Sequence, residues 1–445
     1  MSCCCWAGFI TRCGNCSKRN SRSWHLCRRR YQSHDRCASV SHARWSCPSL
    51  QCGEVETVKV YLVGGAVRDQ LLELPVHERD WVVVGATSAQ MLAQGFRPID
   101  ADFPVFLHPE SGDEYALART EEKTGPGYKG FRVASGPEVT LEQDLLRRDL
   151  TINALAMDVA GNLIDVCGGR EDLDNGLLRH ITPAFAEDPV RLLRIARFAA
   201  KLGQWGFRVA HGTHRLMKKM AVSPDLANLK AERVWREMSR AMAETQPWRF
   251  FEVLHRSGVL LHLMPAVDHI LGLPGSHKSD PEKESLAALK RTVALTDDPS
   301  VRLSVSLYDT AVSVDGIDDW LGSMRAGRDE SQLLNDLLAF RNGLPSPQDF
   351  RGLLELAGRL KPQQQPQRFQ RFMLAAKALW PDALVQREDG LMLASEVLLA
   401  KPPASFYQQE LQGKALGQAL QAWREEQLRE RLIAGPMRNA DESGS

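Results

Sequence analysis

Two adjacent glycines between a strand pattern and a helix pattern constrain this chain more than any other feature. Apolar residues alternate with others over residues 58–63, which predicts a strand, and residues 66–72 have helical character. Gly64 and Gly65 form the junction between them. Such a turn lets backbone N–H groups approach a triphosphate, and Arg68 follows closely enough to neutralise its charge. Most glycine turns only change the direction of the chain, so the interpretation of this one as a phosphate-binding turn needs support from neighbouring residues.

The next predicted strand supplies that support. Glu78 and Asp80 lead directly into the β-branched run at 81–84. Residues two apart on a strand point to the same face, so we expect the two carboxylates to lie side by side. That arrangement costs stability through repulsion but suits the binding of Mg²⁺. An exposed acidic edge is the alternative, and the upstream glycine turn favours the metal site.

Several segments together resemble a known family. The run 64–69 (Gly-Gly-Ala-Val-Arg-Asp), followed by a carboxylate-x-carboxylate pair, resembles the class II nucleotidyltransferase head of bacterial tRNA CCA-adding enzymes and poly(A) polymerases. The segment 147–154 resembles the family's ribose-recognising Arg-Arg-Asp motif, and 187–191 resembles its nucleotide-template motif, Glu-Asp-x-x-Arg. The sequences of residues 80–85, 102–109 and 114–119 are similar to those of the proteobacterial CCA-adding branch.

This resemblance implies template-independent addition of CCA to the 3′ end of tRNA from CTP and ATP, with release of pyrophosphate by two-metal transfer. It assigns the acidic residues to catalysis and metal binding, and the glycines and arginines to the nucleotide. The expected groups are Glu78 and Asp80 for Mg²⁺, with Glu114 as a third acidic residue; Gly64, Gly65 and Arg68 for the triphosphate; Arg148 and Asp149 for the ribose; Asp188 and Arg191 for the base; and Arg194 and Arg197 as further nucleotide contacts.

One position departs from the family pattern. The family has Asp-x-Asp where this chain has Glu78-x-Asp80. Glutamate still offers oxygen ligands, but its extra methylene displaces the carboxylate, and Mg²⁺ demands near-ideal octahedral geometry. We therefore expect activity to survive, either with a small backbone adjustment or at a slower rate.

The choice of base can be argued from donors and acceptors. Asp188 and Arg191 are three residues apart, which places them on one face of a predicted helix. A carboxylate accepts from the exocyclic amine of cytosine or adenine, while a guanidinium donates to their ring acceptors. Uracil and guanine present a carbonyl instead of that amine and are disfavoured. Asp188 before Pro189 is also a good helix N-cap, and one residue can serve both purposes.

The first 57 residues differ from the rest. They hold 9 Lys/Arg, 3 Asp/Glu and nine of the ten cysteines, and only Cys167 lies beyond them. A zinc site, a mitochondrial presequence and an unstructured stretch upstream of a misplaced start are the three interpretations, and we favour the last. The remaining chain, with a single cysteine, is typical of a reducing compartment.

The predicted architecture is α+β: a head with a small mixed sheet at 58–185, then a helical neck at 186–262, a shortened body at 263–360 and a tRNA-binding tail at 361–445. Tyr308 stands where related enzymes carry a metal-binding histidine of a phosphohydrolase domain, so we expect the body to be an inactive remnant. In the neck, Arg233, Arg236 and Arg240 share one helical face, which either meets tRNA phosphates or is simply solvated.

The glycines and proline at 121–130 predict a loop. In the family that the chain resembles, a loop at this place helps the site to switch from C to A addition, and CC-only enzymes resemble a version that lacks it. The resemblance therefore favours full CCA synthesis, and a plain surface loop is the alternative. The rival functions are CC-only addition, A-only addition, poly(A) synthesis and a non-catalytic tRNA-binding descendant. No segment is long and apolar enough for a membrane span, and we expect a cytoplasmic protein, a monomer rather than an oligomer.

Overall fold

The computed structural model describes most of the chain after residue 57. The described residues are 58–99, 104–125, 130–272, 286–340, 344–346, 348–381, 388–404 and 412–434. The predictions for the extension at 1–57 lie outside these residues. The loop predicted at 121–130 is shorter than expected, because residues 121–123 belong to the strand Arg119–Lys123, and its residues 126–129 lie outside the described residues.

A mixed seven-stranded sheet forms the first part of the fold, in the order β3-β4-β5-β2-β1-β8-β9. Strands β2 and β5 run parallel, while the other neighbours in this sheet are antiparallel. Strands β6 and β7 form a separate antiparallel hairpin, and β10 pairs with β11. The strands are β1 Lys59–Val63, β2 Asp80–Val84, β3 Arg97–Pro98, β4 Val105–Leu107, β5 Glu114–Leu117, β6 Arg119–Lys123, β7 Phe131–Ser135, β8 Leu155–Asp158, β9 Leu163–Asp165, β10 Leu177–Leu178 and β11 Arg208–Val209.

The central strands are buried on both faces, which explains why their sequences are apolar runs rather than strict alternations. Val63 and Val82 pack on one face with Leu145, while Val83 packs on the other with Phe106. Because both faces are covered, the polar side chains of these strands are confined to the strand ends. The ends of β1 and β2 are where the predicted site lies.

Helices surround the sheet and then make up the rest of the described chain. Those around the sheet are α1 Gly65–Leu71, α2 Ser88–Ala93, α3 Leu141–Leu146 and α4 Gly169–Asp174. Those that follow are α5 Val190–Leu202, α6 His211–Ala221, α7 Pro224–Ala227, α8 Ala231–Met242, α9 Trp248–Arg256, α10 Val259–Leu263, α11 Pro265–Gly272, α12 Ala287–Leu295, α13 Pro299–Ser313, α14 Ile317–Ser323, α15 Arg328–Leu338, α16 Phe350–Leu360, α17 Pro366–Leu379, α18 Glu388–Leu399 and α19 Gly413–Ala434. The α+β prediction, a mixed-sheet head followed by helices, is confirmed.

Helix α5 joins the two parts of the fold. Its apolar positions recur at helical spacing, and Leu193, Ala196 and Ala200 are fully buried against α8 and α9. One apolar core runs from Leu150 in the sheet region to Leu334 in α15. The head is therefore anchored directly on the helical part.

A second apolar core, reaching from Val301 to Leu428, holds the C-terminal helices together. Tyr308 lies in it, 6% exposed, with its ring edge-on to Trp380 at 5.5 Å between centroids. At this position the chain thus has an aromatic side chain packed in a core. Among the described residues, no helix has the length and apolarity needed to cross a membrane.

Candidate active site

The glycine turn has the conformation that the sequence predicts. Gly64 adopts φ 71° and ψ −128°, a backbone region that side chains with a Cβ rarely enter. Its N–H donates to the carbonyl of Leu155 at 2.9 Å, and Gly65 begins helix α1. A Cβ on Gly64 would lie 2.9 Å from Nη1 of Arg148. The guanidinium of Arg148, from the Arg-Arg-Asp segment, therefore lies against the turn and leaves no room for a side chain at Gly64.

The acidic residues gather at the end of β2. Asp80 is the first residue of that strand and pairs in register with Glu114, the first residue of the parallel strand β5. Glu78 lies just before the strand rather than within it, which differs from the prediction that both carboxylates belong to one strand. The reason is that Val63, the last residue of β1, pairs with Asp80, and the chain then turns away at Gly64.

The electrostatics show that these three carboxylates are neighbours. Partial burial raises the pKa of Asp80, although the nearby Arg148 guanidinium lowers it, and the Glu78 carboxylate raises it further. Partial burial also raises the pKa of Glu114, as do the charges of Asp80 and Glu78. As whole residues all three are exposed. A solvent-accessible cluster of mutually repelling carboxylates is the environment that a divalent cation would stabilise.

These carboxylates fit a Mg²⁺ site in which substrate supplies part of the coordination. Within the part of the chain that the structure describes, no three or more His, Cys, Asp or Glu side chains converge tightly enough to hold a metal by themselves. Mg²⁺ is usually bound through one or two carboxylates, with phosphate oxygens and water filling the other positions. A carboxylate pair beside a glycine turn meets that requirement.

Arg68 lies deeper than a surface phosphate ligand. It is 2% exposed, its Nε donates to Oδ1 of Asp69 at 2.8 Å, and its Nη1 donates to Oδ1 of Asn153 at 2.6 Å. The guanidinium also stacks 5.2 Å from the ring centroid of Phe198. Arg68 thus ties α1 to α5 beneath the turn, and its predicted contact with the triphosphate stays a prediction.

The carboxylate of Asp149 accepts three hydrogen bonds. Its Oδ2 accepts from Nε of Arg194 at 2.7 Å, and its Oδ1 accepts from the Leu150 N–H at 2.8 Å and the Asn153 amide at 3.1 Å. Burial alone would raise the pKa of Asp149, but Arg194 and these hydrogen bonds outweigh it and lower the pKa to about 2. The structure therefore brings together Asp149 and Arg194, which the sequence treats as separate contacts.

The two residues expected to select the base do not pair with each other. Asp188 precedes α5 and its carboxylate accepts from the Val190 N–H at 3.0 Å, which is the capping role that the sequence also suggests. The Arg233 guanidinium lies 3.5 Å from that carboxylate. Arg191 donates to the backbone carbonyl of Arg147 at 2.9 Å. Helix α5 begins at Val190, after Asp188, so the two residues do not both lie within the helix, and each side chain has a partner of its own.

Arg197 also differs from expectation. Its Nε donates to Oε2 of Glu237 at 2.8 Å, and its guanidinium lies over the Phe198 ring at 4.9 Å from the centroid. The ion pair with Glu237 fastens α5 to α8. Of the two arginines after the template motif, Arg194 forms an ion pair with a predicted site residue, Asp149, whereas Arg197 pairs with Glu237.

Sequence reasoning missed a buried carboxylate next to the site. Asp144 in α3 is 0% exposed and accepts hydrogen bonds from both Arg147 and Arg148. The available signal was an acidic residue three and four positions before two arginines, which is the spacing of helical ion pairs.

Comparison with known proteins places these features in a family. Residues 60–179 match the model of the poly A polymerase head domain, and residues 206–271 match the model described as the probable RNA and SrmB-binding site of polymerase A. The multifunctional CCA protein of Thioalkalivibrio sulfidiphilus is 44% identical over 405 residues, which cover 84% of this chain and 98% of that protein.

Solved structures share the fold. The CCA-adding enzyme of Bacillus stearothermophilus in complex with CTP superposes with a TM-score of 0.58 at 22% identity, over 85% of this chain and 92% of that one. The Thermotoga maritima CCA-adding enzyme complexed with tRNA_CCA has a TM-score of 0.55 at 22% identity, over 85% and 91% of the two chains.

Proposed function

The chain belongs to the family of the multifunctional CCA proteins, which are tRNA nucleotidyltransferases, and we propose that it adds C, C and A to the 3′ end of tRNA from CTP and ATP. The observation that carries the proposal is the register of Asp80 with Glu114, with Glu78 beside them and the Gly64 turn at the same end of the sheet. Carboxylates for a metal and backbone for a triphosphate are what nucleotidyl transfer requires at one place.

In the proposed reaction the tRNA 3′-hydroxyl attacks the α-phosphorus of the nucleotide. A new phosphodiester bond forms, the bond from the α-phosphorus to the oxygen that bridges to the β-phosphate breaks, and pyrophosphate leaves with that oxygen and the electron pair, while the hydroxyl proton passes to solvent. Glu78 and Asp80 would hold Mg²⁺, whose chemistry at such a site is to lower the pKa of the attacking hydroxyl and neutralise the leaving group. Glu114 adds negative charge next to this pair.

The nucleotide would be held by three groups of residues. The Gly64 and Gly65 backbone approaches the triphosphate, supported from below by Arg68. Arg148 lies over that turn, and Asp149, a permanent acceptor because of its lowered pKa, suits the ribose hydroxyls. Of Arg194 and Arg197 in α5, Arg194 is the better placed to contact the nucleotide, because it pairs with Asp149. Arg197 pairs with Glu237 and would act indirectly, by holding α5 in place.

We assign base selection to Asp188 and Arg191 on donor and acceptor chemistry. Both lie at the start of α5 and are partly exposed. Because Arg191 donates to a backbone carbonyl and Asp188 caps the helix, each keeps its orientation without the other. The Watson–Crick edge of the incoming base would then form hydrogen bonds with two groups that are already oriented. These groups would accept cytosine and adenine and reject uracil and guanine.

The remaining proposals concern the organisation of the protein. The division into head (58–185), neck (186–262), body (263–360) and tail (361–445) stays a prediction, as does an inactive body. The neck and tail would bind tRNA phosphates, with Arg236 and Arg240 more accessible than Arg233. A cytoplasmic location remains our expectation, supported by the single cysteine after residue 57, and a monomer is our expectation for the oligomeric state.

The test is incorporation into tRNA that ends at its discriminator base. The purified chain with Mg²⁺ receives CTP, ATP, both, or UTP and GTP, and product length is measured on a gel. Two additions with CTP and a third only when ATP is also present support CCA synthesis. Extension that stops after two additions indicates a CC-adding enzyme, and addition of A only to tRNA that already ends in CC indicates an A-adding enzyme. Long adenosine ladders indicate a poly(A) polymerase. No extension, with tRNA still bound, indicates a non-catalytic descendant.

A further inference from the structure

Asp144 is a buried carboxylate that receives five hydrogen bonds. Its Oδ1 accepts from Nη2 of Arg147 at 2.6 Å, from Nε of the same residue at 3.0 Å, and from the Arg119 N–H at 3.3 Å. Its Oδ2 accepts from Nη2 and Nε of Arg148 at 3.1 and 3.3 Å. Burial raises the pKa of Asp144, but the two guanidinium groups more than compensate and lower it, so the carboxylate stays ionised.

Arg148 connects Asp144 to the end of the sheet at which the nucleotide would bind. Nη1 of Arg148 lies 3.5 Å from the carbonyl oxygen of Asn153 and 2.9 Å from the position that a Cβ on Gly64 would occupy. The charge of this arginine also lowers the pKa of Asp80. The orientation of Arg148 thus affects both the turn and the acidic residues.

Arg147 connects Asp144 to the β6–β7 hairpin and to the start of α5. Nη1 of Arg147 donates to Oε1 of Glu121 in β6 at 2.8 Å, and its Nε donates to the carbonyl of Arg119 at 3.0 Å. Its own carbonyl accepts from Arg191 at 2.9 Å. The β6–β7 hairpin and the start of α5 therefore meet at Arg147.

We propose that Asp144 is a positioning residue for nucleotide binding, which fixes Arg148 over the glycine turn and Arg147 between the hairpin and α5. The inference rests on the proposed function. Asp144 itself is enclosed and touches no substrate, so its effect passes through the two arginines. Because the same carboxylate orders both, its loss would disturb the triphosphate and base ends of the site together.

The helical part of the chain offers a matched control. Asp336 in α15 is 1% exposed and also binds two arginines, Arg359 and Arg368, at 2.8 and 2.7 Å. Its burial and partners resemble those of Asp144, but none of its contacts belongs to the site. A change at Asp336 reports the cost of breaking a buried ion pair without any change to the nucleotide pocket.

The experiment compares Asp144→Asn with Asp336→Asn in the full chain. An asparagine amide N–H₂ directed at a guanidinium replaces an acceptor by a donor, so at least one arginine must leave. We expect Asp144→Asn to raise KM for CTP about tenfold, with a smaller fall in kcat. Asp336→Asn should lower thermal stability and leave KM for CTP unchanged.

The outcomes separate the inference from the function on which it rests. A wild-type chain that incorporates no nucleotide refutes the proposed function. An active wild type, together with an Asp144→Asn protein of unchanged KM, refutes the positioning role alone. If Asp144→Asn does not fold, Glu121→Gln decides, because it removes a partner of Arg147 at a partly exposed position. A rise in KM of about threefold supports the inference, and an unchanged KM counts against it.

Discussion

Two acidic regions of the head use the same residue type in opposite ways. At the end of β2, Asp80 is exposed as a whole residue, and partial burial of its carboxyl group, together with the charge of Glu78, raises its pKa. In the Arg-Arg-Asp segment, Asp149 is buried, paired with Arg194 and lowered in pKa to about 2. The first carboxylate lacks neutralisation that a metal would supply, and the second is already neutralised by protein. The difference indicates which acids are available for chemistry and which hold the site in shape.

The largest effect should follow a change in the exposed region. Asp80→Asn removes a proposed metal ligand, and we expect incorporation of CMP into tRNA to fall by at least about a thousandfold. Since the substitution also removes a repelled charge, thermal stability at neutral pH without metal should be unchanged or higher. A gel assay and a melting curve measure the two quantities. Retained activity would remove the metal role of this residue.

The buried region should respond in stability. Asp149→Asn leaves Arg194 without its counter-charge, and because that arginine is partly exposed we expect a loss of about 2 kcal/mol in unfolding free energy at neutral pH. Asp149 has a lowered pKa, so its contribution is present above the unfolded pKa of about 3.9 and lost as the pH falls towards 2. The free energies of unfolding of the two proteins, measured in urea, should therefore approach each other below about pH 4 and converge only near pH 2. A constant gap would contradict the ion-pair explanation.

The pH dependence of activity sharpens the comparison further. Asp80 must be ionised to bind metal, and its raised pKa places the acidic limit of activity above the ordinary carboxyl range of about 4. Glu78→Gln removes the neighbouring carboxylate whose charge contributes to that raised pKa, so the limit should move to lower pH, even if the maximal rate falls. Profiles of kcat/KM from pH 4 to 8 measure the shift. A shift to higher pH would show that repulsion does not set the limit.

The smallest effect is expected at the position that departs from the family. Glu78→Asp restores the Asp-x-Asp pattern, and because Glu78 lies in the segment before β2, it has room to adjust. We expect kcat to change by no more than about threefold, in either direction. A gain of a hundredfold, measured under single-turnover conditions, would mean that the native glutamate impairs the site.

Local features of the head were predictable because short-range chemistry fixes them. The strand before Gly64, the helix after Gly65 and the strand beginning at Asp80 follow from periodicity and from the backbone freedom of glycine. The place of Glu114 required more than local pattern. Its register with Asp80 depends on a parallel pairing between strands separated by α2 and two further strands.

Side-chain partners could not be predicted from spacing. Arg194 and Arg197 differ by less than one helical turn, yet one binds Asp149 and the other binds Glu237 on α8. The choice depends on tertiary packing around α5. The same holds for Asp144, whose importance comes from full burial between two arginines.

The most direct test of the central distinction is metal binding itself. Binding of Mn²⁺ in the presence of CTP, followed by electron paramagnetic resonance, would be compared between the wild-type chain, Asp80→Asn and Asp336→Asn. We predict that the wild type and Asp336→Asn bind the ion equally, while Asp80→Asn loses most of the affinity. Equal binding by all three proteins would contradict the claim that the exposed carboxylates at the end of β2 hold the catalytic metal.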